Sequence, residues 1–327
     1  MNNIKILKIN FNLKYTQLIT RKNRNIHMKV KDGICGFVIG DALGVPVEFE
    51  PKSVLDNDPV TGMRGYGTYN MPAGTWSDDT SMTLATMASI TNKKGIDYDD
   101  IMNEFLQWYE NDKYTQDELF DIGITTSNAL ENYHYNDIPA LESGFDGERD
   151  NGNGSLMRIL PLAYLKDVDY ETIENISSLT HAHERSRIAC VLYVEIARSM
   201  LENDLKIKEH VKNSCEKIKE HYKDSEELSH FQRIFNDDLD YVESSGYVIK
   251  TLECVIHCMQ TTSNYKDAVL KAVNLGADTD TVGAICGGLA GIYYGYDAIP
   301  VDWLEEIDQL DYVLELCENY EAFCDES

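Results

Sequence analysis

At 327 residues, 43% hydrophobic and 10% aromatic, the chain is long enough to bury a large core, and its composition is neither disordered nor fibrous. Its formal charge of −27 is uneven: residues 1–31 hold eight Lys or Arg and no acid, leaving 21 bases against 56 acids, or −35, over the remainder. A body that acidic repels phosphate backbones, which argues against general nucleic-acid binding, and no apolar run approaches the ~20 residues needed to cross a bilayer.

The leader MNNIKILKINFNLKYTQLITRKNRNIH alternates Lys and Asn with single apolar residues and lacks the apolar core and cleavage site of a secretory signal. Residues 1–28 are therefore read as an upstream extension before a start at Met28, set apart from one domain over 29–327. Next comes GICGFVIGDALGVPVEFE, with glycines at 33, 36, 40 and 44 and with Asp41 and Glu48 at its edge. Glycine at this spacing costs a helix about 1 kcal/mol each relative to Ala, tolerable where another backbone or a ligand comes very close.

GTWSDDTSM, Gly74 to Met82, places Ser77 before Asp78 and Asp79 and then opens an apolar run. Alone, this is an acidic helix start with Ser77 as N-cap. Helical faces follow at Ile101, Phe105 and Trp108, at Ile188, Leu192 and Ile196, at Val248, Leu252, Val255 and Met259, and at Trp303, Ile307, Leu310 and Leu314. Polar breaks near 91–97, 134–153 and 221–246 read as loops, and neither a strand-and-hairpin series nor a 20–50-residue repeat is visible. The expected fold is all-α, a compact single-domain multi-helix bundle.

Between those faces lie FDIGITTSNAL, with Asp121 before a helix start, NGNGSLMRILPL, with Asn153 and Gly154 in a Gly/Asn loop, and LTHAHERS, with His181 and His183. Free N–H groups in the Gly/Asn loop could cradle a diphosphate, although a plain turn is the more frequent meaning of such a loop. AVNLGADTDTVGAICGGLAGIYYG repeats the glycine spacing and carries Asp278, Asp280 and Thr281 at its head. Eight cysteines are scattered without a CxxC pair, as in a cytoplasmic protein with reduced, buried thiols.

Two clusters share one chemistry. Ser77-Asp78-Asp79-Thr80 and Asp278-Thr279-Asp280-Thr281 each mix carboxylates with hydroxyls ahead of an apolar run, without His or Cys among them. All-oxygen donor sets suit Mg²⁺, Mn²⁺ or Ca²⁺, and four carboxylates would balance two divalent ions. On a regular helix Asp278 and Asp280 would diverge, so their convergence needs a turn, which Gly276 permits. Spacing leaves both readings open, capped helices or a dinuclear cage.

In this order, GFVIGDALGVPVEFE, GTWSDDTSM, FDIGITTSNAL, NGNGSLMRILPL, LTHAHERS and NLGADTDTVGAICGGLAG resemble the ADP-ribosylglycohydrolase family, which includes the dinitrogenase reductase-activating glycohydrolases. The resemblance spans about Gly33 to Gly295. It implies an all-α fold with a dinuclear Mg²⁺ or Mn²⁺ cleft that accepts ADP-ribose. Carried over by motif, the metal ligands would be Ser77, Asp78, Asp79, Asp278, Asp280 and Thr281, with Glu48 and Asp121 catalytic and Asn153, Gly154 and His181 contacting substrate.

The implied activity is hydrolysis at the ribose anomeric carbon of an ADP-ribosylated protein or small molecule, releasing ADP-ribose through an oxocarbenium-like state. The alternative on the same scaffold is a catalytically silent ADP-ribose reader. A phosphate-ester hydrolase is disfavoured by the absence of a His-rich di-metal set. A cytoplasmic monomer without membrane attachment completes the expectation.

Overall fold

The glycine-spaced segment after the leader folds as α1 (Val30–Gly44), and its counterpart near the C-terminus as α10 (Thr279–Tyr294). Both are apolar on nearly every side, so both must be buried all round, and they form the most extensive helix pair of the molecule. A Cβ on Gly36 would overlap the Gly287 carbonyl oxygen, one on Gly40 the Gly283 carbonyl, and one on Gly44 the backbone of Asp280. Positions that rise along α1 therefore meet positions that fall along α10. The helices run antiparallel with their backbones in van der Waals contact, and this placement explains the glycine spacing in both segments.

This structure, a computed structural model, describes residues 30–326, so the basic leader lies outside the described residues. Around the central pair stand α2 (Asp78–Lys93), α6 (Glu184–Glu202), α8 (Val248–Thr261), α9 (Tyr265–Val273) and α11 (Leu310–Glu326). An outer tier adds α3 (Tyr98–Asn111) on α2, α4 (Ile124–Tyr135) beside α3, α5 (Tyr170–Ser178) on α6, and α7 (Ile207–His221) on α6. Among the described residues no strand forms, only three isolated β-bridges. The all-α, single-domain expectation holds.

The apolar faces of α3, α6 and α8 are buried as the periodicity predicts, and all eight cysteines are free and buried. Two expectations fail. The face from Trp303 to Leu314 is not one helix: a short turn of helix (Val301–Glu305) ends there, and α11 begins only at Leu310. The break lets the Glu306 carbonyl lie against Gly74, whose φ of +81° and missing side chain admit it, so the loop ahead of α2 sits in the gap. The segment 221–246 is no plain loop either. It contains a 3₁₀ turn (Glu226–Phe231) and a helical turn (Gln232–Phe235), because Phe231 and Ile234 are buried in the core.

Candidate functional site

Close contact between α1 and α10 brings the C-terminal part of one against the N-terminus of the other, and the acids gather there. Asp41, fully buried in the last turn of α1, accepts hydrogen bonds from the backbone N–H of Ser77 (3.0 Å) and of Thr80 (3.0 Å) and from the Thr80 hydroxyl (2.6 Å). A carboxylate from another helix thus takes up two of the orphan donors of α2. Ser77 caps as its local sequence predicts, its Oγ accepting from the Asp79 N–H (3.3 Å) and donating to Asp79 Oδ2 (3.3 Å). Asp78 and Asp79 are buried in the first turn of α2.

The turn that brings Asp278 and Asp280 together is present, and it uses two residues. Gly276 has φ +77° and Ala277 φ +60°, a left-handed value that strains a residue with a Cβ. The strain is held by paired backbone bonds, Phe49 N–H to the Ala277 carbonyl (2.7 Å) and Ala277 N–H to the Glu50 carbonyl (2.8 Å). Those bonds set the segment that carries Glu48 beside the start of α10. Asp278 then serves as N-cap residue, Asp280 lies in the first turn, and Thr281 donates its N–H to Asp280 Oδ1 (2.9 Å).

Glu48 is buried, and its Oε2 accepts from the Tyr69 hydroxyl at 2.5 Å. The Tyr69 ring packs 4.9 Å from Phe120, next to Asp121, which is held at φ +51°. Asp121 is partly buried and interacts with both Glu48 and Tyr69. No motif surrounds Tyr69, so the sequence does not mark it as a site residue. Asp41 was visible only as an acid at the edge of a glycine run.

Burial, followed by mutual repulsion, raises the pKa of these acids. Glu48 is pushed up to about 8 by burial and then by Asp121, and Asp41 to about 6 by burial. Asp78, Asp79 and Asp280 are raised for the same reason, with neighbouring carboxylates as the second cause. Elsewhere, buried acids have cationic partners: Lys217 Nζ lies 2.6 Å from Glu195 and Arg233 Nη1 2.5 Å from Glu253. Among the described residues, no Lys, Arg or His pairs with Asp41, Glu48, Asp78, Asp79, Asp278 or Asp280. Two carboxylate oxygens, Asp79 Oδ1 and Asp280 Oδ2, are buried there without any hydrogen-bond partner.

Buried anions without compensation cost several kcal/mol unless a cation joins them. The donors are all oxygen, the chemistry of a hard divalent ion. Two groups, Asp41–Asp79–Asp280 and Glu48–Asp278–Asp280, each bring one oxygen per residue within 4.8 Å of the others, and they share Asp280. The residues present fit a divalent cation.

The Gly/Asn loop is partly engaged by the protein itself. The Asn153 N–H is not free for a ligand; it donates to the Gly246 carbonyl (3.0 Å). Its side-chain amide donates to Asp278 Oδ2 (2.6 Å) and to Thr251 Oγ1 (3.0 Å), so Asn153 orients a carboxylate of the cluster. His181 lies behind this loop, buried, with its Nδ1 2.7 Å from the Thr180 hydroxyl and its ring against Gly152 and Gly154. Burial holds its pKa down to about 3, so the ring is neutral. Beneath the loop, Arg158 bonds the Gly154 and Ile176 carbonyls.

Comparison with known proteins agrees with this geometry. A family model described as ADP-ribosylglycohydrolase matches residues 22–326. The chain is 30% identical to an ADP-ribosylarginine hydrolase Tri1 of Pseudomonas putida (strain GB-1), over 89% of this chain and 77% of that protein. It is 28% identical to the ADP-ribosyl-[dinitrogen reductase] glycohydrolase of Rhodospirillum rubrum, over 87% of this chain and 92% of that one. A solved structure described as an ADP-ribosylglycohydrolase-related protein complex superposes with a TM-score of 0.78 at 29% identity, covering 91% of this chain and 99% of that one. With matched sequence, matched fold and a buried acidic cluster at the helix ends, the chain belongs to the ADP-ribosylglycohydrolase family, enzymes that act on glycosidic bonds.

Proposed function

We propose that the chain is a divalent-metal-dependent hydrolase that cleaves the bond between the ribose anomeric carbon of ADP-ribose and the guanidinium of an ADP-ribosylated arginine. The observation that carries the metal is the pair of buried, unpartnered oxygens on Asp79 and Asp280 within a set of acids that, among the described residues, forms no ion pair with a Lys, Arg or His. The relatives named for ADP-ribosylarginine support the leaving group. Two carboxylate groups joined through Asp280 support a pair of ions, Mg²⁺ or Mn²⁺.

Ser77, Asp78, Asp79, Asp278, Asp280 and Thr281 would hold these ions, with Asp41 fixing the start of α2 beneath them. When bound, the cations would supply Lewis-acid polarisation of the ribose hydroxyls and of the attacking water. The rest falls to the protein. Tyr69 fixes Oε2 of Glu48 within the group it forms with Asp278 and Asp280, where this carboxyl would position the ribose and move the proton of the hydrolytic step. Asp121, beside Glu48 and Tyr69, is the second candidate for that transfer. Gly154, Asn153 and His181 would form the wall against the diphosphate side, with His181 neutral and supporting the loop from behind.

Incubation with ADP-ribosyl-arginine, ADP-ribosyl-serine or O-acetyl-ADP-ribose, each with Mg²⁺, Mn²⁺ or EDTA, tests the reading. The expected result is release of free ADP-ribose from the arginine conjugate, lost in EDTA. Tight ADP-ribose binding without turnover on any conjugate would replace the hydrolase with a reader.

A further inference from the structure

Arg185, near the N-terminus of α6, has a side chain only 4% exposed, and all five of its N–H donors are engaged. Nε donates to Glu227 (2.8 Å); Nη1 and Nη2 grip the two oxygens of Glu148 (2.9 and 3.1 Å). The remaining donors reach the Tyr247 hydroxyl (3.2 Å) and His230 Nε2 (2.8 Å). The bidentate contact requires a planar fork, which Lys cannot provide.

What it clamps leads to the site. Glu148 begins the segment whose carbonyl receives the Asn151 side-chain amide (3.1 Å), and Ser186, next to Arg185, donates to Asn151 Oδ1 (2.9 Å). Tyr247 belongs to the segment that pairs with this one through Asn153 N–H to Gly246 O (3.0 Å) and Val248 N–H to Asn151 O (3.1 Å). That pairing sets Asn153, and Asn153 holds the Asp278 carboxylate at 2.6 Å.

We propose that Arg185 is a positioning residue of the site: by locking the 148–153 and 244–248 segments together it fixes Asn153, and through Asn153 the orientation of Asp278. The inference rests on the reading of Asp278 as a metal ligand. Partners that orient metal ligands typically account for about 10- to 100-fold in metal affinity or activity. A purely structural Arg185 would alter melting without altering Asp278.

The test is a double-mutant cycle on direct Mn²⁺ binding, with ADP-ribose affinity as a second readout, in Arg185→Lys, Asn153→Ala and the double variant. Each single change is expected to weaken Mn²⁺ binding about tenfold or more, and the double to be little worse than the stronger single, since both act on one carboxylate. Unchanged Mn²⁺ affinity in a folded Arg185→Lys variant, or fold-changes that multiply in the double, would overturn the proposal. Should Arg185→Lys fail to fold, Glu148→Gln, which releases the exposed end of the clamp, must show the same loss to a smaller degree. Neither readout needs turnover, so wild-type protein that binds Mn²⁺ without hydrolysing a conjugate would sink the hydrolase reading and leave this one standing. Wild-type protein that binds neither Mn²⁺ nor ADP-ribose would overturn both.

Discussion

Asp280 is the residue on which the acidic cluster turns, because it belongs to both carboxylate groups and keeps one oxygen buried without a partner. Without cations it is repelled by Glu48, Asp79, Asp278 and Asp121, so its charge opposes folding. Asp280→Asn therefore has two expected effects of opposite sign. Turnover falls by about 10³-fold, corresponding to the several kcal/mol that metal-assisted charge stabilisation supplies. The metal-free variant nevertheless melts above metal-free wild type, while the upward shift that Mn²⁺ gives the wild type shrinks or disappears. Thermal melts with EDTA and with Mn²⁺ read both. A metal-free variant that melts below wild type would mean that its unpaired oxygen does not carry the cost assigned to it.

At the scale of elements, the site depends on how closely α1 approaches α10. The side-chain-free seam of Gly36, Gly40, Gly283 and Gly287 brings the Asp41 end of one helix against the Asp280 end of the other. Gly40→Ala would drive a methyl into the Gly283 carbonyl, and overpacking of this kind costs about 1–3 kcal/mol. The variant is expected to melt lower and also to bind Mn²⁺ more weakly, because relief of the clash moves Asp41 and Asp280 apart. A lowered melting point with unchanged Mn²⁺ affinity would show that the ends of the two helices are held by other contacts. The break between Trp303 and α11 follows the same logic: helical periodicity continued across it, and the packing of the Gly74 loop interrupted it.

For the molecule as a whole, a few of the acids behind the net charge of −27 are buried, and those respond to pH. Glu48 is raised from an ordinary value of 4.5 to about 8 and Asp41 from 3.8 to about 6. Their folded-state pKa values lie above the unfolded ones, so between those values the native state holds protons that the unfolded chain has released. The contribution of these two acids to the stability of the metal-free protein is therefore fully present below about pH 4 and is lost as pH rises to about 8. Divalent cations should reverse that trend, since they bind the deprotonated carboxylates. Denaturant melts across this range in EDTA and in Mg²⁺ measure it; a metal-free stability that rises from pH 5 to 8 would contradict the burial of these acids.

Much of this protein could be read from its residues alone. The helical class, the buried cysteines, the Ser77 cap and both hydroxyl–carboxylate clusters come from local periodicity and local chemistry, which a chain carries in any context. The glycine spacing by itself implies a close backbone approach, and α10 supplies it. Other features depend on residues far apart in the chain. The Asn153–Asp278 bond spans 125 positions and Asp41 reaches Ser77 over 36, while Tyr69 meets Glu48 with no motif to mark it. Ala277 adopts a left-handed turn that its side chain disfavours, because paired backbone bonds to the segment after Glu48 compensate for the strain. Sequence determined which elements form and which donor chemistry they carry; only the tertiary structure decided which carboxylates come together in one buried cluster, since desolvation and repulsion act through space and not along the chain.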